Sequence, residues 1–401
     1  MKSFACNVKV NAIEYFHIKL NTSEEIKVMK QKLRNLSAPA NIIFAILAVF
    51  IFIALLQWSG KVLGLIPGME KADDYLLQAI VETVVLVIFL GITYLFGLWD
   101  IFKENAAGWT RSLYTGGFFI VYCLYAVVSG IYMCFLSEHG DVKAFYNILF
   151  FFIAVCLVGL VEELVFRGLV FNLLLRAFPK TKGGITGAVV LGGVLFGLMH
   201  FSNMGAGVKF SSCLIQVISA GLMGVLFCMI YASTRNFWIL AIFHTVVDMG
   251  GLLSSGIFEG GGVADRINEF SAMNCVAFIV LGIPMLVMLR KSRRIRLEML
   301  YNNETIIDDE REGAKLAVVS LVLGICSIIF SFFGYLMGLG IVGMLASKMS
   351  KRAKQYNNAI ATAGMITSII GFVLSVICTI GMMVLFASGM YDRLVNMSML
   401  Q

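Results

Sequence analysis

Residues 147–175 read NILFFFIAVCLVGLVEELVFRGLVFNLLL, an apolar run interrupted by Glu162, Glu163, Arg167 and two asparagines. A helix needs about 20 such residues to cross a hydrocarbon core about 30 Å thick. The run is therefore read as a membrane span, and its three charges become the feature to explain. Working outward, similar runs cover 41–58, 76–98, 114–136, 184–204, 213–232, 237–256 and 270–289. Together they predict an all-α, polytopic transmembrane helical bundle of about eight spans. A second hydrophobic block, 316–346 and 359–387, is expected to add a module of two or three helices.

Composition points the same way. Of the 401 residues 59% are hydrophobic and 14% charged, whereas a soluble chain is nearer half apolar and a quarter charged. The surplus calls for lipid as solvent. The net charge of +7 is then orientation information, and no nucleic-acid partner is expected. With the N-terminus inside, Lys61, Lys71, Lys143, Lys209 and Arg266 are the basic residues left on the far side of the eight-span bundle. Apart from Arg167 inside the fourth span, the rest up to Lys315 fall on the cytoplasmic side, which predicts a multi-pass protein with a cytoplasmic N-terminus. The basic first forty residues hold no early apolar run, so no cleaved signal peptide is expected. The cysteines form no C-x-x-C pair, which leaves them as small apolar filler.

The chain divides by composition. Residues 1–40 form a cytoplasmic segment, 41–290 the main bundle, 291–315 a polar cytoplasmic linker, 316–389 the second membrane module and 390–401 a tail. Within the first segment, Thr22, Ser23, Glu24 and Glu25 make a capping-box start. Ile26, Met29, Leu33 and Leu36 follow at helical spacing among lysines, predicting a basic amphipathic helix. The run Lys348, Lys351, Arg352 and Lys354 also asks for the cytoplasmic side. It predicts that 316–346 is a helical hairpin turning near Phe333–Gly334.

An ionisable side chain at membrane depth costs roughly 2.5–3.5 kcal/mol on insertion. Such groups concentrate in three spans. Glu163 and Arg167 stand four apart, one helical turn, and can pair. Glu162 points about 100° away and is left free: a structural acid beside a working base. The fifth span carries Phe196 and His200, with Asn203 just beyond. The seventh carries His244 and Asp248, again four apart, so the aspartate can fix the imidazole's tautomer. His17 and His139 lie in polar segments and look ordinary. Glu82, early in the second span, is placed near the outer interface with no catalytic role. Each element alone would pass as helix–helix glue; three on three spans, with one carboxylate to spare, would not. Depth poses a difficulty. A span starting at Gly184 would carry His200 about 24 Å from its entry, beyond Glu162 and His244. The fifth span should then enter later, or an interfacial segment should follow Pro179.

The ordered triple E-E-x-x-x-R, F-x-x-x-H and H-x-x-x-N/D, borne by Glu162, Glu163, Arg167, Phe196, His200, His244 and Asp248, resembles the CPBP family of intramembrane peptidases. These are the CAAX-protease and bacteriocin-processing proteins, also called Abi, and the resemblance covers roughly 114–290. It implies a conical cavity in which Glu162 and His200 activate a water for attack on a peptide carbonyl. His244 and Asp248 would stabilise the oxyanion, and Glu163 would hold Arg167. The last position is usually asparagine in that family, and an aspartate cannot donate unless protonated; what it can do is keep His244 charged. The resemblance also implies a bacterial plasma-membrane protein whose substrate is a peptide or membrane protein in the bilayer, in peptide maturation or bacteriocin self-immunity. No cofactor is expected. The rival is zinc on a His₂Glu set of His200, His244 and Glu162, although no H-E-x-x-H is present. The block 314–364 resembles a DUF4190-type two-helix membrane module, implying packing or partner binding. A different class remains open: a non-catalytic immunity or scaffold protein, or a proton-coupled transporter. Oligomeric state leaves no mark in the sequence.

Overall fold

The computed structural model describes residues 24–69, 72–103, 108–136, 140–269, 272–303, 310–352 and 358–388. Thr22 and Ser23 of the capping box, His17, His139 and the tail 390–401 lie outside the described residues.

Helix α1 (24–34) precedes α2 (Ala38–Leu63) and α3 (Asp74–Leu95). Next come α4 (Gly108–Thr115) and α5 (Gly117–Leu136). The opening stretch folds as α6 (Phe145–Glu163), widens into a π-helical run at Leu164–Val170, and ends as α7 (Phe171–Ala177). Helix α8 (Lys182–Met199) closes in a 3-10 run, His200–Ala206, before α9 (Phe210–Thr234) and α10 (Phe237–Ile257). The short α11 (Val263–Asn268), α12 (Val276–Met288) and α13 (Lys291–Tyr301) lead to α14 (Glu310–Ile329), α15 (Met337–Arg352) and α16 (Asn358–Ala387).

Eight helices among the described residues are long and apolar enough to cross a membrane. The protein is a polytopic helical bundle. Seven of the eight match expected spans, but the eighth is Ala359–Leu385 and not the run at 270–289. That run is divided between a 3-10 turn holding the polar Asn274 and the 13-residue α12, so no single helix there is long enough. The expected linker also folds in part. Lys291–Tyr301 is helical and packs on α8 and α9, burying Leu297. Leu297 and Tyr301, four apart, give this basic helix the apolar edge that docks it.

Side-chain caps set the boundaries near the site. Thr181 starts α8 by accepting from Gly184 N at 3.1 Å, and Asn236 starts α10 by accepting from Ile239 N at 3.2 Å. Arg235, at φ 56°, ends α9 in the left-handed region, so α9 and α10 meet in a two-residue turn.

The second block is a hairpin of α14 and α15 turning at 330–336, with α16 packed along both legs. Serine hydroxyls tie the three helices: Ser320 donates to Gly343 O at 2.8 Å, Ser347 to Ala361 O at 2.6 Å and Ser350 to Gly313 O at 2.7 Å. The module docks on α5, where a Cβ at Gly338 would meet Val121 Cα at 2.8 Å. At the other end of the chain, Leu33 and Leu36 of the α1 region pack against the bundle while Ile26 and Met29 stay exposed.

Candidate active site

Every residue from Val161 to Leu175 is buried. Within that stretch the helix widens just after Glu163, and Asn172 Nδ2 donates to the carbonyls of Arg167 and Gly168 at 2.8 and 3.0 Å. Widened turns of this kind concentrate at functional sites. Opposite, α10 approaches closely because residue 159 is glycine: a Cβ there would stand 2.8 Å from Thr245 N. This contact brings His244 against the paired glutamates.

Glu163 Oε1 accepts from Arg167 Nη1 and from His244 Nδ1, each at 2.8 Å. Arg167 is fully buried; its guanidinium carbon lies 4.4 Å from the Phe196 ring centroid and 5.0 Å from that of Phe227. An ion pair and two aromatic faces thus offset the cost of a buried cation. A carboxylate only accepts, so His244 carries its proton on Nδ1 toward Glu163. Nε2 is turned the other way, 3.6 Å from Glu162 Oε2 and 3.4 Å from Asp248 Oδ2. The sequence assigned the imidazole's orientation to Asp248. The structure assigns it to Glu163, because the close approach of α6 and α10 puts that carboxylate on Nδ1.

Phe196 is the hub between the histidines. Its ring centroid lies 5.3 Å from that of His200 and 5.7 Å from that of His244, and 5.0 Å from Phe166. His200 closes α8 and is acted on electrostatically by His244 and Arg167, but it makes no hydrogen bond to Glu162. The imidazole nearest Glu162 is therefore that of His244. Asn203 is not in the cluster: its Nδ2 donates to Gln216 Oε1 at 2.9 Å, joining the 3-10 run to α9.

Helix α8 starts at Lys182, so the fifth span does not enter later than Gly184, and Phe145–Ala177 is one helical run of 33 residues. Glu162 stands about 22 Å from its Ala177 end and His200 about 27 Å from Lys182, at 1.5 Å per residue, an offset of about one helical turn.

Glu82 is 4% exposed and lies on the face of α3 that holds Tyr75, Ala79 and Phe89. That face packs on α6, and Glu162 acts on Glu82 electrostatically. Neither Glu82 Oε2 nor Glu162 Oε2 has a hydrogen-bond partner among the described residues. The spacing from Tyr75 to Phe89 was the available signal. Phe227, which flanks Arg167 and lies 6.0 Å from the His244 ring, gave none, because a phenylalanine in an apolar span reads as core.

Among the described residues no three His, Cys, Asp or Glu side chains are arranged to hold a metal ion. The His200, His244 and Glu162 set is not among such arrangements, with His200 across the Phe196 ring from His244.

Residues 144–250 match the family described as Type II CAAX prenyl endopeptidase Rce1-like. This segment is similar to that family. It begins at the start of α6, ends within α10, and is narrower than the expected 114–290. All the clustered residues on α6, α8 and α10 fall inside it; Glu82, on α3, falls outside. Among curated proteins none matches the chain. The Rce1-like segment supports an intramembrane protease of the CAAX type.

Proposed function

We propose that the protein is an intramembrane endopeptidase in which Glu162 is the general base that activates water. One observation carries this reading: Glu162 Oε2 is a buried acceptor with no hydrogen-bond partner among the described residues, beside an imidazole already fixed by Glu163. A buried acceptor without a partner is costly unless a ligand or water completes it. In the step proposed, His200 helps position a water from which Glu162 takes a proton as the oxygen attacks the peptide carbonyl. The oxyanion forms against the Nε2–H of His244, which Glu163 and Asp248 hold in its charged form, the carbon–nitrogen bond breaks, and the amine leaves with the proton held by Glu162. Arg167 and Glu163 hold the imidazole in place, and Phe196 separates His200 from His244. Asp248 acts through His244, not as a donor of its own. The substrate is a peptide or membrane-protein segment, in peptide maturation or bacteriocin self-immunity.

The test is hydrolysis of a peptide library by the purified full chain in ¹⁸O-labelled water, with and without chelator. The reading expects label in the new carboxyl group, chelator-insensitive cleavage, and loss of cleavage in both Glu162→Ala and His200→Ala. Cleavage surviving both substitutions would overturn it. Glu82 favours one second reading, a proton relay through Glu82 and Glu162. That reading expects proton flux into proteoliposomes with no peptide cleaved.

A further inference from the structure

Arg176 on α7, Lys180 just after it and Arg235 at the end of α9 meet at one end of the bundle. Arg235 stands 4.7 Å over the ring of Tyr301, and Lys180 Nζ stands 5.6 Å over the same ring. Burial, and then the like charges of Arg235 and Arg176, hold Lys180 below the ordinary lysine value. Arg34, from the segment before α2, adds a further positive charge beside Arg176.

Among the described residues no carboxylate pairs with Arg176, Lys180 or Arg235; their partners are neutral. Arg235 Nη1 donates to Asn172 Oδ1 at 3.2 Å, Arg176 Nη2 to Phe96 O at 3.1 Å, and Lys180 Nζ to Leu175 O. Cations near helix C-termini can be simple complements to the helix dipole. That account leaves two buried atoms unexplained: Arg176 Nη1 and the Tyr301 hydroxyl have no hydrogen-bond partner. Half-buried cations that repel one another, beside two unpaired donors, are completed by an anion with several acceptor oxygens. Arg176 directly follows the apolar run of the fourth span, which places the cluster where a bilayer surface would fall, and basic pockets between spanning helices suit anionic headgroups there.

We propose that Arg176, Lys180, Arg235 and Tyr301 form a site for the phosphate group of an anionic lipid. A phosphate could also come from solution, and the test separates the two sources. Purified full chain in detergent is titrated with dihexanoyl-phosphatidylglycerol, dihexanoyl-phosphatidylcholine or glycerol phosphate, and bound molecules are counted by native mass spectrometry. The site predicts one tightly held phosphatidylglycerol and weak binding of the other two. Lys180→Gln with Arg235→Gln should weaken it about thirtyfold, from the usual contribution of two basic residues near an anionic surface. Lys348→Gln with Lys351→Gln removes the same charge from an exposed stretch of α15 and should leave binding unchanged. If the first pair fails to fold, Lys180→Gln alone serves, with binding lowered and unfolding temperature kept. Equal loss in both double variants, or equal binding of phosphatidylcholine, would overturn the site. Displacement by glycerol phosphate at equal concentration would overturn the lipid assignment.

Discussion

Glu163 Oε1 lies 2.8 Å from His244 Nδ1 while accepting from Arg167 Nη1 at the same distance. One carboxylate therefore neutralises a buried cation and fixes the tautomer of an imidazole on another helix. The free nitrogen of that imidazole is thereby aimed at Glu162 and Asp248.

Glu163→Gln should be damaging to stability before it is damaging to chemistry. It leaves Arg167 buried without its counter-charge, a change that costs about 3–5 kcal/mol. Thermal unfolding in detergent should show a clear fall. An unchanged unfolding temperature would mean that Arg167 has another partner.

Asp248→Asn should keep turnover, since the amide replaces the charge 3.4 Å from His244 Nε2 by a donor of its own. Asp248→Ala should lower it by about 10²–10³, the usual effect of losing one preorganised group. Steady-state rates on one cleaved peptide decide this, and equal rates for the alanine variant would remove Asp248 from the site.

Phe227→Leu removes one of the two rings on Arg167 and should cost about 2 kcal/mol of stability. Phe196→Leu should cost more turnover, because the same ring also stands against His200 and His244. The paired unfolding and rate measurements separate the two effects.

Glu82→Met replaces an unpaired buried carboxylate by an apolar side chain of similar volume. Stability should rise by about 1–3 kcal/mol. A fall in unfolding temperature would show that Glu82 has a partner within the fold.

Gly338→Leu should undock the C-terminal module, because any side chain there meets the backbone of Val121. Limited proteolysis between α13 and α14 should accelerate while peptide cleavage by the remaining bundle persists. Loss of cleavage would make the module part of the enzyme's active form.

The spans were legible because lipid demands long apolar runs. The run at 270–289 misled because hydropathy does not register a 3-10 turn. Glu162, Glu163, Arg167, His244 and Asp248 were legible as charges that a membrane penalises. Their division of labour was not. The i, i+4 rule ties His244 to Asp248, but only tertiary packing at Gly159 reveals that Glu163 reaches Nδ1. The burial of Glu82 follows from its helical face, which its distance along the span does not give.

The most direct measurement is the turnover of Glu162→Gln, with unfolding temperature taken on the same preparation. The account predicts a protein as stable as the wild type that no longer hydrolyses the peptide bond. A folded Glu162→Gln protein cleaving at the wild-type rate would contradict it.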